Sequence, residues 1–522
     1  MSIVAKKILM GSGAVATPSD DEFNRVSFLS HFDGANNGVN NAFDDGSASN
    51  HTITANGNVT QGSFGPFARP DGEWGVALDG TASFLRATGA GDISGNFTLE
   101  AWVFMNSANG NYLHLTHNSG VINVVNIYNG SVQNFLFGTA AQPSQTTTEF
   151  NDTTWDAKVW THLAIVRVSN TVKFYVNGVA DATTVSLTGN LTDLEYIGTG
   201  RSFTSAGQVF DGKVSNVRFS STARYTSNFT PSTTYFSSDS DTNLLTCQSN
   251  RFVDNSSNGH AITPSGSAAI TAFGPFLPSS VYSAGINGAS AYFDGTGDYL
   301  TAGDSTDYEF GTGDFTIEAW VYASSVDNPA IVSKFPNGAR QFSLELSRDN
   351  NNHARYRALI YIGESGVFSN EYIAFNAWNH IAIVGTASDT TARIYTNGIR
   401  NSNTISYSGG VPAGGADPLR VGSRNSGGYF YYEGYICDLR LLKGTAAYSG
   451  ASFTPPTAPL TAITNTKMLL NMADGQAIDS TAQHNLSLEN GTNISTAQAK
   501  FGDSSIFFDG TTDTATVIGS EN

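Results

Sequence analysis

The 522-residue chain carries 26 Lys and Arg against 44 Asp and Glu, a formal charge of −18, and only 13% of it is charged. That balance argues against helical bundles and coiled coils, which need Lys, Glu and Ala in quantity. It also argues against nucleic acid and membrane insertion, because phosphate backbones and anionic headgroups are gripped by clustered Lys and Arg. With 40% hydrophobic residues and 54 glycines, the chain reads as a folded series of short strands and tight turns.

From the N-terminus, Ala5-Lys6-Lys7-Ile8-Leu9-Met10 is a cationic, apolar stretch broken at Gly11 and Gly13. It is too short for a signal peptide or a membrane span, and residues 1–22 are expected to form an anchoring arm. The two cysteines, Cys247 and Cys437, are too few for a disulfide framework. They are expected to be reduced, in adjacent or nearby strands of one sheet, with Cys247 in the opening strand and Cys437 in the closing strand of the second repeat.

Internal repeats set the organisation. Val76-Ala77-Leu78-Asp79-Gly80-Thr81 returns as Ala291-Tyr292-Phe293-Asp294-Gly295-Thr296 and as Ile506-Phe507-Phe508-Asp509-Gly510-Thr511, at one constant interval. Phe97-Thr98-Leu99-Glu100-Ala101-Trp102-Val103 matches Phe315-Thr316-Ile317-Glu318-Ala319-Trp320-Val321, and Trp160-Thr161-His162-Leu163 matches Trp378-Asn379-His380-Ile381. Asn177-Gly178 and Asn397-Gly398 suit tight hairpins, since both residue types tolerate positive φ. Phe229-Thr230-Pro231 and Phe453-Thr454-Pro455 close the two repeats. The spacing predicts repeats over 23–236 and 237–460, then a truncated third unit over 461–522. That unit has opening strands but no Glu-Ala-Trp strand, so it should dock on repeat two, on another copy or on a neighbouring protein.

The local period is two throughout, as in an antiparallel sandwich or jelly roll. The succession Phe-Asp-Gly, Phe-Thr-Ile-Glu-Ala-Trp-Val, Trp-Asn-His-Ile-Ala-Ile-Val and Tyr-Thr-Asn-Gly resembles the laminin G-like, concanavalin A-like lectin/glucanase jelly roll. A basic arm ahead of such repeats also resembles virion structural proteins of tailed bacteriophages. The resemblance implies an all-β fold, two tandem jelly-roll sandwiches plus a truncated β unit. It further implies binding of glycan or protein, with calcium in many members.

Catalysis on this fold needs paired carboxylates on one sheet face. Glu100 and Glu318 each stand alone in their strands, so the chain is expected to be no enzyme. Trp102 and Trp320 are expected to pack under loops, and His162 and His380 to be hydrogen-bonded strand residues. Asp45, Asp254 and Asp479 open similar Ser- and His-containing loops. Such loops can supply oxygen ligands to calcium, or the Asp can cap its own turn. Tyr429, Tyr431 and Tyr432 stand in a tyrosine-rich stretch found in repeat two alone, and they are the candidate glycan-stacking residues.

An extracellular composition without an export signal points to a protein carried outside in a particle. The chain is therefore expected to be a virion structural protein of a phage tail or tail fibre, binding host surface glycan or decorating the particle. A capsid decoration protein and a bacterial lectin-like adhesin are the alternatives. Its partners would be other virion proteins, further copies of itself and a host surface polysaccharide.

Overall fold

The computed structural model describes residue 30 and residues 37–518 apart from 68, 70, 82, 91–92, 108–110, 118–122, 130–132, 138–145, 151–155, 192–193, 199–209, 266–267, 273–281, 325–327, 336–339, 350–351, 425–429, 480–482 and 500–503. The anchoring arm at 1–22 and Tyr429 lie outside the described residues. No helix among the described residues is long and apolar enough to cross a membrane.

Two β-sandwiches dominate the molecule. In module one, the strand Phe97–Met105 lies between Thr161–Val168 and Asp211–Ser220, and the sheet extends through Gly75–Asp79 to Ala269–Thr271. The facing sheet runs Ile262–Ser265, Phe84–Ala87, Leu194–Gly198, Asn111–His117 and Asn123–Asn129. In module two, Phe315–Ala323 lies between Trp378–Thr386 and Glu433–Lys443, and the sheet ends on Ser290–Asp294 and Thr60–Gly62. Its facing sheet runs from Ile53–Asn56 through Tyr299–Ala302, Leu419–Val421, Ala330–Lys334, Phe342–Asp349 and Asn352–Ile362 to Ser365–Ala374.

Period-two alternation places Phe97, Leu99 and Val103 in one core and Phe315, Ile317, Ala319 and Val321 in the other. The opposite face is buried as well. Thr316, Glu318 and Trp320 are covered, because a C-terminal segment of each module folds back over the outside of its sheet. Asn177 and Gly178 have φ of 47° and 78°, and Asn397 and Gly398 have 50° and 82°, the signature of the expected hairpin turn.

Sheet boundaries and sequence-repeat boundaries do not coincide. Thr242–Thr246, at the start of repeat two, pairs with Asp211–Ser220 of module one, and Ile262–Ser265 and Ala269–Thr271 pair with Phe84–Ala87 and Gly75–Asp79. Module two is completed at the corresponding places by Thr466–Leu470 of the third unit and by Ile53–Asn56 and Thr60–Gly62 of repeat one.

The cysteine expectation is corrected on the same ground. Cys247 follows a strand of the module-one sheet, whereas Cys437 lies in the Glu433–Lys443 strand of module two. Both are buried and free. The antiparallel return from Asp211–Ser220 to Thr242–Thr246 draws the opening strand of repeat two back onto module one.

The modules meet beside an aromatic cluster of module two that sequence periodicity does not indicate, where the Tyr322 hydroxyl donates to the Ile270 carbonyl of the module-one sheet at 3.3 Å. Phe64 packs its ring 4.8 Å from Tyr435, 5.4 Å from Tyr322 and 5.5 Å from Trp378. The Trp378 amide donates to the Asn250 carbonyl at 3.0 Å.

Candidate ligand-binding sites

The Glu–Arg pair on the outer side of each module's sheet is sealed. In module two, Glu318 Oε1 accepts from Arg440 Nη2 at 2.6 Å and from Arg440 Nε at 2.9 Å. Glu318 Oε2 accepts from the Tyr448 hydroxyl at 2.7 Å and lies 3.2 Å from His380 Nε2. Module one repeats this with Glu100, Arg218, Tyr225 and His162.

Burial works to raise both Glu carboxyls. The hydrogen bond from the histidine and the charge of the arginine outweigh it and hold them below the ordinary carboxylate value. Tyr448 stacks on Phe453 at 3.6 Å and Tyr225 on Phe229 at 3.5 Å, closing the groups from outside. A carboxylate so enclosed fastens the returning segment to the sheet and offers no surface to a substrate. The histidines hold these carboxylates, and Trp320 is buried beside His380 at a ring distance of 5.4 Å. Trp102, in the matching place beside His162, is only half-buried.

Asp45, Asp254 and Asp479 lie in three separate loops, and each binds backbone. Asp45 Oδ1 accepts from the amides of Ser47 and Leu469, both at 2.9 Å, and Oδ2 accepts from His51 N at 3.0 Å. Asp254 Oδ1 accepts from Leu245 N and Ser256 N, and Oδ2 from His260 N, all at 2.9 Å. Asp479 Oδ2 accepts from His484 N at 3.1 Å and Gln483 N at 3.3 Å. Of the two chemistries open to these loops, the turn-capping one is in place, with N–H groups turned toward the carboxylate oxygens. No group of three or more His, Cys, Asp or Glu side chains converges among the described residues.

Of the tyrosine candidates, Tyr432 is corrected. It is fully buried, 6.0 Å from the Phe293 ring, with its hydroxyl turned to the Tyr435 carbonyl. Adjacent side chains at this strand entry point in opposite directions, and Tyr432 is the one that faces the core.

Tyr431 faces outward and is half-buried. Its ring lies 6.3 Å from that of Tyr299 at an interplanar angle of 25°, and the Arg420 guanidinium sits 4.7 Å over Tyr299. Next to them, Arg424 lies 3.4 Å over Phe430 and 3.4 Å from Glu345 Oε2. This outer face of the Tyr299–Ala302 and Leu419–Val421 strands presents half-exposed rings beside guanidinium groups.

Sequence inspection missed Arg440, Tyr448, Tyr299 and Arg420. For the first two a signal was present, since Arg218 and Tyr225 recur as Arg440 and Tyr448 in the aligned repeats. For Tyr299 and Arg420 there was none, because their neighbourhood depends on strand pairing between distant segments.

A further buried acid distinguishes the modules. Asp438 has a φ of 51°, as does Asn216 at the same place in module one. Asp438 accepts from Leu460 N at 2.8 Å, and burial pushes its carboxyl up to about 7. A free carboxyl titrates near ~3.9, so the unfolded chain loses its proton first. The group therefore costs stability progressively as pH rises from about 4 to about 7, by about 1.4 kcal/mol per pH unit, and the cost is constant above that. Asp438→Asn is expected to raise the urea midpoint at pH 8 and to leave it unchanged at pH 4. Equal shifts at both values would refute the assignment.

The family model of the concanavalin A-like lectin/glucanases superfamily matches residues 79–228 and 294–447. Among solved structures, domains LG4-5 of the mouse laminin alpha1 chain are similar at 10% identity, over 73% of this chain and 94% of that one, with a TM-score of 0.25. Domain 4 of the arabinanase AbnA from Geobacillus stearothermophilus, solved with arabinotriose, is similar at 14% identity over 34% of this chain and 79% of that one, with a TM-score of 0.24. Tailspike protein 2 of the Escherichia coli O157:H7 bacteriophage CAB120 is similar at 11% identity over 36% and 27% of the two chains, with a TM-score of 0.25. No curated protein matches the chain. Two matched regions that together span more than half the sequence, each centred on one of the sandwiches, place this chain in the concanavalin A-like lectin/glucanases superfamily as a tandem laminin G-like protein.

Proposed function

We propose that the protein is a non-enzymatic structural component of a bacteriophage tail or tail fibre that holds a host surface glycan on the outer face of module two. The observation that carries the glycan reading is the half-exposed group of Tyr431, Tyr299 and Arg420. A tyrosine face complements the apolar side of a pyranose, and a neighbouring guanidinium donates to its hydroxyls. The sealed state of Glu100 and Glu318 supports a binding role over hydrolysis. Other virion proteins and further copies of the chain are the partners this reading implies.

The test is a titration of the purified protein with surface polysaccharide extracted from the host bacterium. Tyr431→Ala is expected to weaken binding tenfold or more, as truncating a central aromatic anchor costs about 2 kcal/mol. Tyr235→Ala, an exposed ring in module one, is expected to change nothing. Equal affinities for wild type, Tyr431→Ala and Tyr299→Ala would rule this face out.

A further inference from the structure

Strand pairing shows one closing device built three times. In module one, Asp254 Oδ1 accepts the Leu245 amide, Thr263 pairs with Arg86, and Ile270 pairs with Val76. In module two, Asp45 Oδ1 accepts the Leu469 amide, Thr54 pairs with Thr301, and Gln61 pairs with Ala291. In the third unit, Ser487 pairs with Thr516 and Ile494 with Ile506. The receiving residues are equivalent in the aligned Asp-Gly-Thr motifs, and the same interval separates the two donor strands each time. Register is thus identical in all three.

The donors are not used in the same way. Module one takes its clasp from the unit that follows it. Module two takes its first strand, Thr466–Leu470, from the following unit, but its clasp, Asp45 to Gly62, from the start of the chain. The third unit's own clasp lies directly after Thr466–Leu470, and by the pattern of module one it belongs on module two. It is instead folded onto Ser505–Phe507 and Thr514–Ile518.

Among the described residues three clasps therefore serve three receiving strand pairs, and a second matching keeps each clasp pairing in register. In that matching the third unit's clasp closes module two of its own chain. The displaced Asp45 to Gly62 clasp then closes the third unit of another copy. Exchange between interfaces of one register keeps the clasp pairings and gives up the isolated Gly38–Ile494 bridge, which makes it a low-cost route to assembly. The receiving end is poorly covered in the closed chain: it consists of two-stranded sheets, with Phe507 and Phe508 at 49% and 47% exposure.

We propose that the chain assembles head to tail by this exchange, the clasp of one copy pairing with Ser505–Phe507 and Thr514–Ile518 of a second copy of this chain. The inference rests on strand topology and is independent of the glycan reading.

Cysteine crosslinking tests it. Thr54 and Thr516 are both exposed, so Thr54→Cys and Thr516→Cys leave the cores untouched, and the native cysteines are buried. A mixture of the two single variants, concentrated and oxidised, is expected to give a covalent dimer at least tenfold above either variant alone. Light scattering of the wild-type protein is expected to show mass rising with concentration. A chain carrying both Thr54→Cys and Thr301→Cys reports the closed form as an in-chain link under dilute conditions. Absence of the mixed dimer at every concentration, whether or not the in-chain link forms, would overturn the proposal.

Discussion

Glu318→Ala is expected to lower the stability of the protein by about 3–5 kcal/mol, the cost of leaving a buried charge without its partner. The substitution strands the Arg440 guanidinium, the Tyr448 hydroxyl and His380 Nε2 in a place closed by the Tyr448–Phe453 stack. Urea unfolding monitored by tryptophan fluorescence checks this, since Trp320 lies beside His380. In a double-mutant cycle, Glu318→Ala with Arg440→Met should cost much less than the sum of the single changes, because neither charge is then left alone. The dependence on pH has a definite sign. Glu318 is held below its ordinary value, so its contribution is complete above the free carboxyl's pKa of about 4.3 and is lost as pH falls further. A Glu318→Ala protein as stable as the wild type at pH 7 would show that the group is dispensable.

The second large effect is expected at Gly398. A Cβ there would lie 2.0 Å from the Phe453 carbonyl oxygen and 2.9 Å from Pro455 Cδ, and the residue has a φ of +82°. Gly398→Ala must therefore push away the Phe453-Thr454-Pro455 segment and uncover Tyr395 and Tyr448, which pack against Phe453. Gly297→Ala is the control, having a φ of +84° and open space around its Cβ. Gly297→Ala should cost only the backbone strain, about 1–3 kcal/mol. Gly398→Ala should cost more than that and should make the chain cleavable by protease near residue 453. Equal stabilities for the two variants would show that contact with the Phe-Thr-Pro segment is unimportant.

These two expectations show which features the sequence makes legible. Asn397-Gly398 and Phe453-Thr454-Pro455 are both visible as repeated motifs, and positive φ at the turn follows from residue type alone. That one motif sits under the other is not visible, because the contact joins residues distant in sequence. Likewise Glu318 is readable as an isolated carboxylate, and hence as a poor catalyst, from its flanking residues. Its partners Arg440 and Tyr448 come from a strand and a returning segment more than a hundred residues away.

The sandwich itself is legible because apolar residues alternate so cleanly at Phe315, Ile317, Ala319 and Val321. The exchange of opening strands between units is not, since the three clasps are interchangeable in pattern and nothing local says which strand pair each will meet. Tyr432 illustrates the limit at the candidate site. Three tyrosines in one run mark a place of interest, but which ring faces out depends on the register of a strand entry that composition does not set.

Quantitative mass spectrometry of purified phage particles, alongside the cell-envelope fraction of the same lysate, tests the proposed role most directly. The chain should be recovered in the particles at a constant ratio to known tail proteins, and antibody labelling should place it on the tail. Its absence from particles, with recovery in the envelope fraction, would contradict a virion role and identify the protein as a cell-surface adhesin.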